Sequence, residues 1–360
     1  MIFLTVWLPT IIVFALLLGL LILFHELGHF LAAKKAGMKV EEFGFGFPPK
    51  IWSKRKGDTL YSINLIPIGG FVKILGENED SDSKQAFANK SIGSRLLVIV
   101  AGVLMNFVLA YIAILIVFWS ALPPIVSSSE AYGGKVSEGS GGLYIETISE
   151  DSLALKNDIR KGDLIFEIGG IKDPSVVDLR NKIAENKNGN VVFKIKRGEE
   201  NIEKTIEVGE SPVLGVGILQ RLGKVHYSWW KVPWFALEET AKAIVSIALA
   251  ILVFLKGLIV SGVVPGEVLG PVGIFGITSV AVQLGFAYVL NLLIILTINL
   301  GIINILPFPA LDGGRLVFLL AEKIRGRKIA QKVEVAIHNI GFLILIILII
   351  LVTWRDIVRF

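Results

Sequence analysis

Four windows without a charged side chain constrain this chain more than any other feature: residues 1–24, 96–121, 268–311 and 335–354. A helix crossing the hydrocarbon core of a bilayer needs about 20 mainly apolar residues, so each window is long enough for one crossing. Composition agrees, because 53% of the 360 residues are hydrophobic, too many for an ordinary soluble domain of this length. Between 122 and 240 charged and turn residues return at ordinary density. The pattern predicts an α-helical membrane protein carrying one polar insertion of domain size.

The first run lacks a basic flank and exceeds the about 7–15 apolar residues of a secretory leader, so it reads as a retained span over about 4–33. Further spans are expected near 96–120, 284–306 and 336–354. Segment 243–264 is also apolar but is interrupted by Lys256. A full crossing there would bring Asp312 out on the face opposite His25 and His29. It is therefore expected to lie in or along the interface, leaving about four transmembrane helices. Lysine and arginine in short loops set orientation. Eleven fall in 34–95 and six in 313–334, which places both segments in the cytoplasm and the insertion on the other face. The net charge of +5 reflects this loop bias and implies no nucleic-acid partner. With no cysteine, disulfides and thiolate metal ligands are excluded.

Two stretches between the first spans are unusual. Glu41–Pro49 and Thr59–Ile74 mix β-formers with glycine and proline, predicting short strands, not a helix. They are apolar for a cytoplasmic loop, which suits a re-entrant β-loop shielded by protein at membrane depth. Within the insertion, strand-like runs at Leu143–Ile148, Asp163–Ile168, Val191–Lys196 and Ile202–Val208 accompany a helical pattern at Val176–Glu185. They predict a small α/β domain. The expected division is 1–121 (membrane part with the β-loop), 122–212 (the α/β domain), 213–265 (linker and interfacial helix) and 266–360 (C-terminal membrane part).

His25-Glu26-Leu27-Gly28-His29 is an H-E-x-x-H sequence. On a helix, residues i and i+4 share a face, so both imidazoles can ligate one metal while Glu26 serves as a base beside it. An ionised glutamate at membrane depth costs about 2.5–3.5 kcal/mol or more, which argues for a functional partner. A catalytic zinc takes three protein ligands and keeps one position open. Of the two other histidines, His226 lies outside the membrane, and His338 begins the last span. The stronger candidate is Asp312, which ends 44 uncharged residues. Pro307 and Pro309 break the helix before it, and Gly313-Gly314 let the backbone turn after it.

H-E-x-x-H in the first span, together with Asn304-Ile305-Leu306-Pro307-Phe308-Pro309-Ala310-Leu311-Asp312-Gly313-Gly314, resembles the site-2 protease family of intramembrane zinc metalloproteases. Gly142-Leu143-Tyr144-Ile145 resembles the carboxylate-binding loop of a PDZ domain, and Ile159-Arg160-Lys161-Gly162-Asp163-Leu164-Ile165 resembles that fold's strand entry. One PDZ domain between spans two and three is the layout of the bacterial RseP-like branch. Gly102 with Asn106-Phe107, and Gly270-Pro271-Val272-Gly273-Ile274, also look like family segments.

The resemblance implies a zinc metalloendopeptidase of a bacterial cytoplasmic membrane, active near its cytoplasmic side, with the PDZ domain outside. Its substrates would be single-span membrane proteins such as anti-sigma factors or signal peptides, first shortened by an upstream protease. It implies that His25, His29 and Asp312 bind Zn2+, that Glu26 is general base and then acid, and that Asn304 holds substrate or the oxyanion. Gly44, Phe45 and Gly46, with Gly70, Phe71 and Val72, would form the β-loop that receives substrate as an added strand. Two other readings stay open: a non-catalytic scaffold with a structural metal, and an ion transporter, although no paired repeat of spans is visible.

Overall fold

The computed structural model describes residues 7–77, 79, 81–122, 135–136, 141–149, 152–209, 214–221, 225–261 and 269–359. They form two compact units, one of residues 1–114 with 236–360, the other of residues 115–235.

The first unit is built on long helices: α1 (Leu8–Lys35), α2 (Ile92–Trp119), α5 (Val232–Ser261), α7 (Phe286–Ile305) and α9 (Gln331–Arg359). Among the described residues these five are long and apolar enough to cross a membrane. Shorter are α6 (Pro271–Leu284) and α8 (Asp312–Arg325). Proline at the first turn and glycine caps set the ends of α6, and Gly326, left-handed at φ 67°, stops α8. Few residues in the apolar stretches of α5 and α9 are fully buried.

Between α1 and α2 run two long strands, β1 (Val40–Lys56) and β2 (Thr59–Ile74). Each bends back on itself. Residues 40–45 pair with 70–74 on one side and with 60–63 on the other, and 50–56 pair with 59–64. The result is a four-segment sheet ordered 70–74, 40–45, 60–63, 50–56. It lies along α1: the position of a Cβ on Gly19 is 3.1 Å from the Pro67 carbonyl oxygen, and that on Gly70 is 3.6 Å from Glu26 Cγ. From Lys35 to Gly19 is about 24 Å of helix, and the ribbon runs beside α1 over most of that length, so strands stand where the sequence led them to be expected. At its base Ala33, Val40, Ile74, Val98 and Leu319 form a buried cluster that joins α1, the ribbon, α2 and α8.

The second unit holds a sheet ordered β8-β7-β5-β4-β9, with β6 beside β5. Its strands are β4 (Gly142–Ile148), β5 (Leu164–Ile168), β6 (Ile171–Lys172), β7 (Asn190–Arg197), β8 (Glu200–Glu207) and β9 (Val216–Arg221). Short β3 (Lys135–Val136) pairs with β10 (Val225–His226). Two helices pack on the sheet: α3 (Leu153–Lys156), and α4 (Val176–Glu185), which opens on a Ser175–Asp178 capping box. Leu143, Ile145, Ile165, Phe193 and Ile206 are fully buried in its core. The sequence boundary at 212 falls short, because β9 completes this sheet.

Candidate metal centre

His25 and His29 stand four residues apart on α1, both buried, with their Nε2 atoms 3.2 Å apart. Asp312 begins α8, and its Oδ2 lies 3.1 Å from His25 Nε2 and 3.2 Å from His29 Nε2. The three atoms form a nearly equilateral triangle. Around a tetrahedral zinc with bonds of about 2.0–2.1 Å, donors stand about 3.3–3.4 Å apart. The triangle thus fits the spacing that three ligands of such an ion would need. Among the described residues it is also the one group of three or more such side chains close enough to share an ion.

The ring tautomers suit this use. His29 Nδ1 donates to the Val98 carbonyl at 2.8 Å, so its Nε2 keeps a lone pair. The Asn106 amide lies 3.2 Å from His25 Nδ1. Turned so that its otherwise unpartnered Oδ1 accepts from the ring, it fixes the same tautomer on His25. Close helix approach makes both contacts possible. A Cβ on Gly28 would stand 2.6 Å from the Ala101 carbonyl carbon, and one on Gly102 would stand 2.9 Å from His25 Cε1.

Other elements close the site. The Glu26 carboxylate accepts the Val72 main-chain N–H, which ties it to segment 70–74 of the ribbon. Asn304, near the end of α7, has Nδ2 3.3 Å from His25 Nε2. A cavity of about 400 Å³ is lined by His25, Glu26, His29, Asn304 and Asp312, with Phe71 and Val72 on its wall. Helix α8 is anchored by a bidentate Arg95–Glu322 pair at 2.8 and 2.6 Å and by an Arg315–Glu77 ion pair.

Two sequence-based assignments need correction. Gly44 and Phe45 lie in the segment paired on both sides, so their main chain is closed to an added strand. Gly46 sits at the bend, where a Cβ would be 3.2 Å from the Asn64 carbonyl oxygen. Only Gly70, Phe71 and Val72 of the expected set lie on the open edge. In the second unit, Gly142, Leu143, Tyr144 and Ile145 form β4, paired with β5 and β9 on its two sides, with Leu143 and Ile145 in the core. They cannot form an open carboxylate loop. A groove does lie between α4 and the edge strand β9, lined by Leu179, Arg180, Leu214, Gly215 and Val216. Sequence reasoning had no role for Asn106 as the orienting partner of His25. An amide inside 26 uncharged residues was the available signal.

A family model, Peptidase family M50, matches residues 13–348. The chain is similar to the zinc metalloprotease RasP of Oceanobacillus iheyensis, with 30% identity over 442 aligned positions, 97% of this chain and 99% of that protein. It is 28% identical over 431 positions to the regulator of sigma-W protease RasP of Bacillus subtilis, covering 97% and 98% of the two. A protein of Clostridium perfringens is 33% identical over 354 positions, 96% of this chain and 98% of that one.

Proposed function

Because this chain belongs to peptidase family M50, the site-2 proteases, and is a membrane zinc metalloprotease with Zn2+ as cofactor, we propose that it cleaves single-span membrane proteins within the bilayer, using Glu26 as general base. The observation that carries this reading is convergence: His25, His29 and Asp312 meet where Glu26 touches the free edge of the ribbon. His25, His29 and Asp312 hold the metal in this reading, and Asn106 and Val98 orient the imidazoles.

A substrate helix hides its carbonyls in its own hydrogen bonds, so it must unwind before hydrolysis. Segment 70–74 is an edge at membrane depth. Leu75 N–H bonds inward to Lys39, whereas Val72 N–H bonds to Glu26. By strand alternation, Gly70 and Val72 present main-chain groups to the cavity, where an unwound substrate can add as a strand. Zinc, when bound, supplies an activated water and a Lewis acid. Glu26 takes the proton of the attacking water and passes it to the leaving amine. The Asn304 amide donates where negative charge develops on the scissile oxygen.

The relatives' printed names support regulated cleavage of anti-sigma-factor-like substrates, one of them being called a regulator of sigma-W protease. Signal-peptide-like substrates offer the same single span. An upstream protease would first remove the substrate's outer part. The α/β unit is read as a single PDZ domain that screens substrates from the outer face of a bacterial cytoplasmic membrane, with the metal near the inner face. In the same reading α1, α2, α7 and α9 cross, and α5 does not. Gly270 packs against Thr353 and Asp356 on α9, and Phe275 stacks on Trp7 at the start of α1, so the chain after α5 resumes at the outer end. If α5 crossed, the nine steps from Ser261 to Gly270, at most about 32 Å, would have to recross about 30 Å of hydrocarbon without a helix. A cysteine placed at Ser261, in a chain with no other cysteine, should react with an impermeant thiol reagent from outside; labelling only from inside would count against this topology.

The decisive experiment compares wild type with Glu26→Gln on a tagged single-span substrate. The variant should retain zinc and lose cleavage by several orders of magnitude. Cleavage by purified Glu26→Gln at the wild-type rate would remove the proposed role.

A further inference from the structure

The turn that delivers Asp312 is clasped by the last helix at two successive points. Ala310 has φ +77°, a conformation that L side chains rarely adopt. Its N–H donates to His338 Nδ1 at 3.0 Å. One turn further along α9, Gly341 lies so near the same loop that a Cβ there would stand 2.6 Å from the Pro309 carbonyl carbon. The His338 ring also packs against Phe318 of α8, with ring centroids 5.7 Å apart. Because Nδ1 accepts, the ring proton resides on Nε2, which is buried in the same region.

A histidine in an uncharged span needs a partner, and this one spends its acceptor on the residue two before Asp312. We infer that His338 is a positioning residue for the metal: by accepting the Ala310 N–H it holds the left-handed turn that sets Asp312 Oδ2 in the triangle with His25 and His29. This rests on the reading of Asp312 as a metal ligand. Outer groups that orient a ligand typically alter metal affinity by roughly 10- to 100-fold when removed, and His338 acts one step further back, through the main chain.

The test uses the full chain in detergent, with zinc affinity read by competition with a chelator and thermal unfolding of the zinc-free protein as the fold control. His338→Phe keeps a ring against Phe318 but has no acceptor. Its zinc affinity should fall by roughly 10-fold or more. His338→Asn, whose Oδ1 takes the place of Nδ1, should restore affinity to within a few-fold of wild type. Unchanged affinity in His338→Phe overturns the inference, and so does an equal loss in both variants. Asp312→Asn separates the two levels. If it too keeps wild-type zinc affinity, the ligand reading fails; if it loses zinc while His338→Phe does not, only the role of His338 fails.

Discussion

Gly102 is the position where a single methyl group should act directly on the metal centre. It lies on α2 facing both imidazoles. A Cβ added there would stand 2.6 Å from His29 Cε1 and 2.9 Å from His25 Cε1, and nearer still to His29 Nε2. Carbon atoms rest at about 3.5–4.0 Å, so either the rings rotate or α2 withdraws. Overpacking of this kind costs about 1–3 kcal/mol. Here the strain falls on the two side chains that must present Nε2 to one ion. At about 1.4 kcal/mol per factor of ten, zinc should bind roughly 5- to 150-fold more weakly in Gly102→Ala. Any gain in helix propensity, about 0.5–1 kcal/mol, is measured separately in Gly93→Ala. Gly93 lies on the same helix with nothing within 4 Å of its Cβ position. Chelator competition gives the affinity, and cleavage of a single-span substrate at fixed free zinc gives the activity. Gly93→Ala should match wild type in both. Gly102→Ala binding zinc within twofold of Gly93→Ala would refute the proposed close approach.

Asn304→Ala should lower kcat by about 100- to 1000-fold while leaving zinc affinity and KM nearly unchanged; a pure KM effect would assign Asn304 to substrate holding instead. Glu322→Ala removes the bidentate partner of the buried Arg95, and should cost about 3–5 kcal/mol of stability, read by thermal unfolding. A shift no larger than that of an exposed substitution would contradict the burial. The second unit should loosen in acid through Asp163. Burial there works against the charge, but bonds from Arg197 and from the Arg160 N–H hold the carboxyl below its ordinary value. A lowered folded value means stability that is complete above the unfolded pKa of about 3.9 and is lost as pH falls through the folded one. Hydrogen exchange at the Arg160 amide should therefore accelerate below about pH 4 in wild type, whereas Asp163→Asn should be fast already at neutral pH.

The side chains proposed to bind the metal were legible because their chemistry is local. Two histidines at helical spacing, and a carboxylate ending a long uncharged run, stand out without tertiary information. The elements of the second unit were legible for a similar reason, with the helix Val176–Glu185 and the strand Leu164–Ile168 following plain periodicity. What escaped depended on partners distant in sequence. Gly44 and Val72 read alike as β-loop residues, and only the fold-back of both strands makes one segment interior and the other an edge. Gly142–Ile145 matched a loop motif, but strand β9, formed after the expected boundary, covers its free side. Gly215, at φ +71°, belongs to a glycine-rich stretch that reads as linker until the sheet is assembled. Asn106 and His338 carry no local pattern, since each is defined by the atom it touches on another helix.

The fold-back of the ribbon gives the two rims of its sheet opposite characters. The rim distant from Glu26, residues 50–56, is exposed and carries Lys50, Lys54, Arg55 and Lys56. Cationic side chains are a known deterrent to unwanted strand docking. Under the proposed function, an unwound peptide arriving from the lipid would meet one welcoming border and one guarded border, and would settle in a single register-bearing lane. In that reading, directional threading of the polypeptide past Glu26 would need no separate guide.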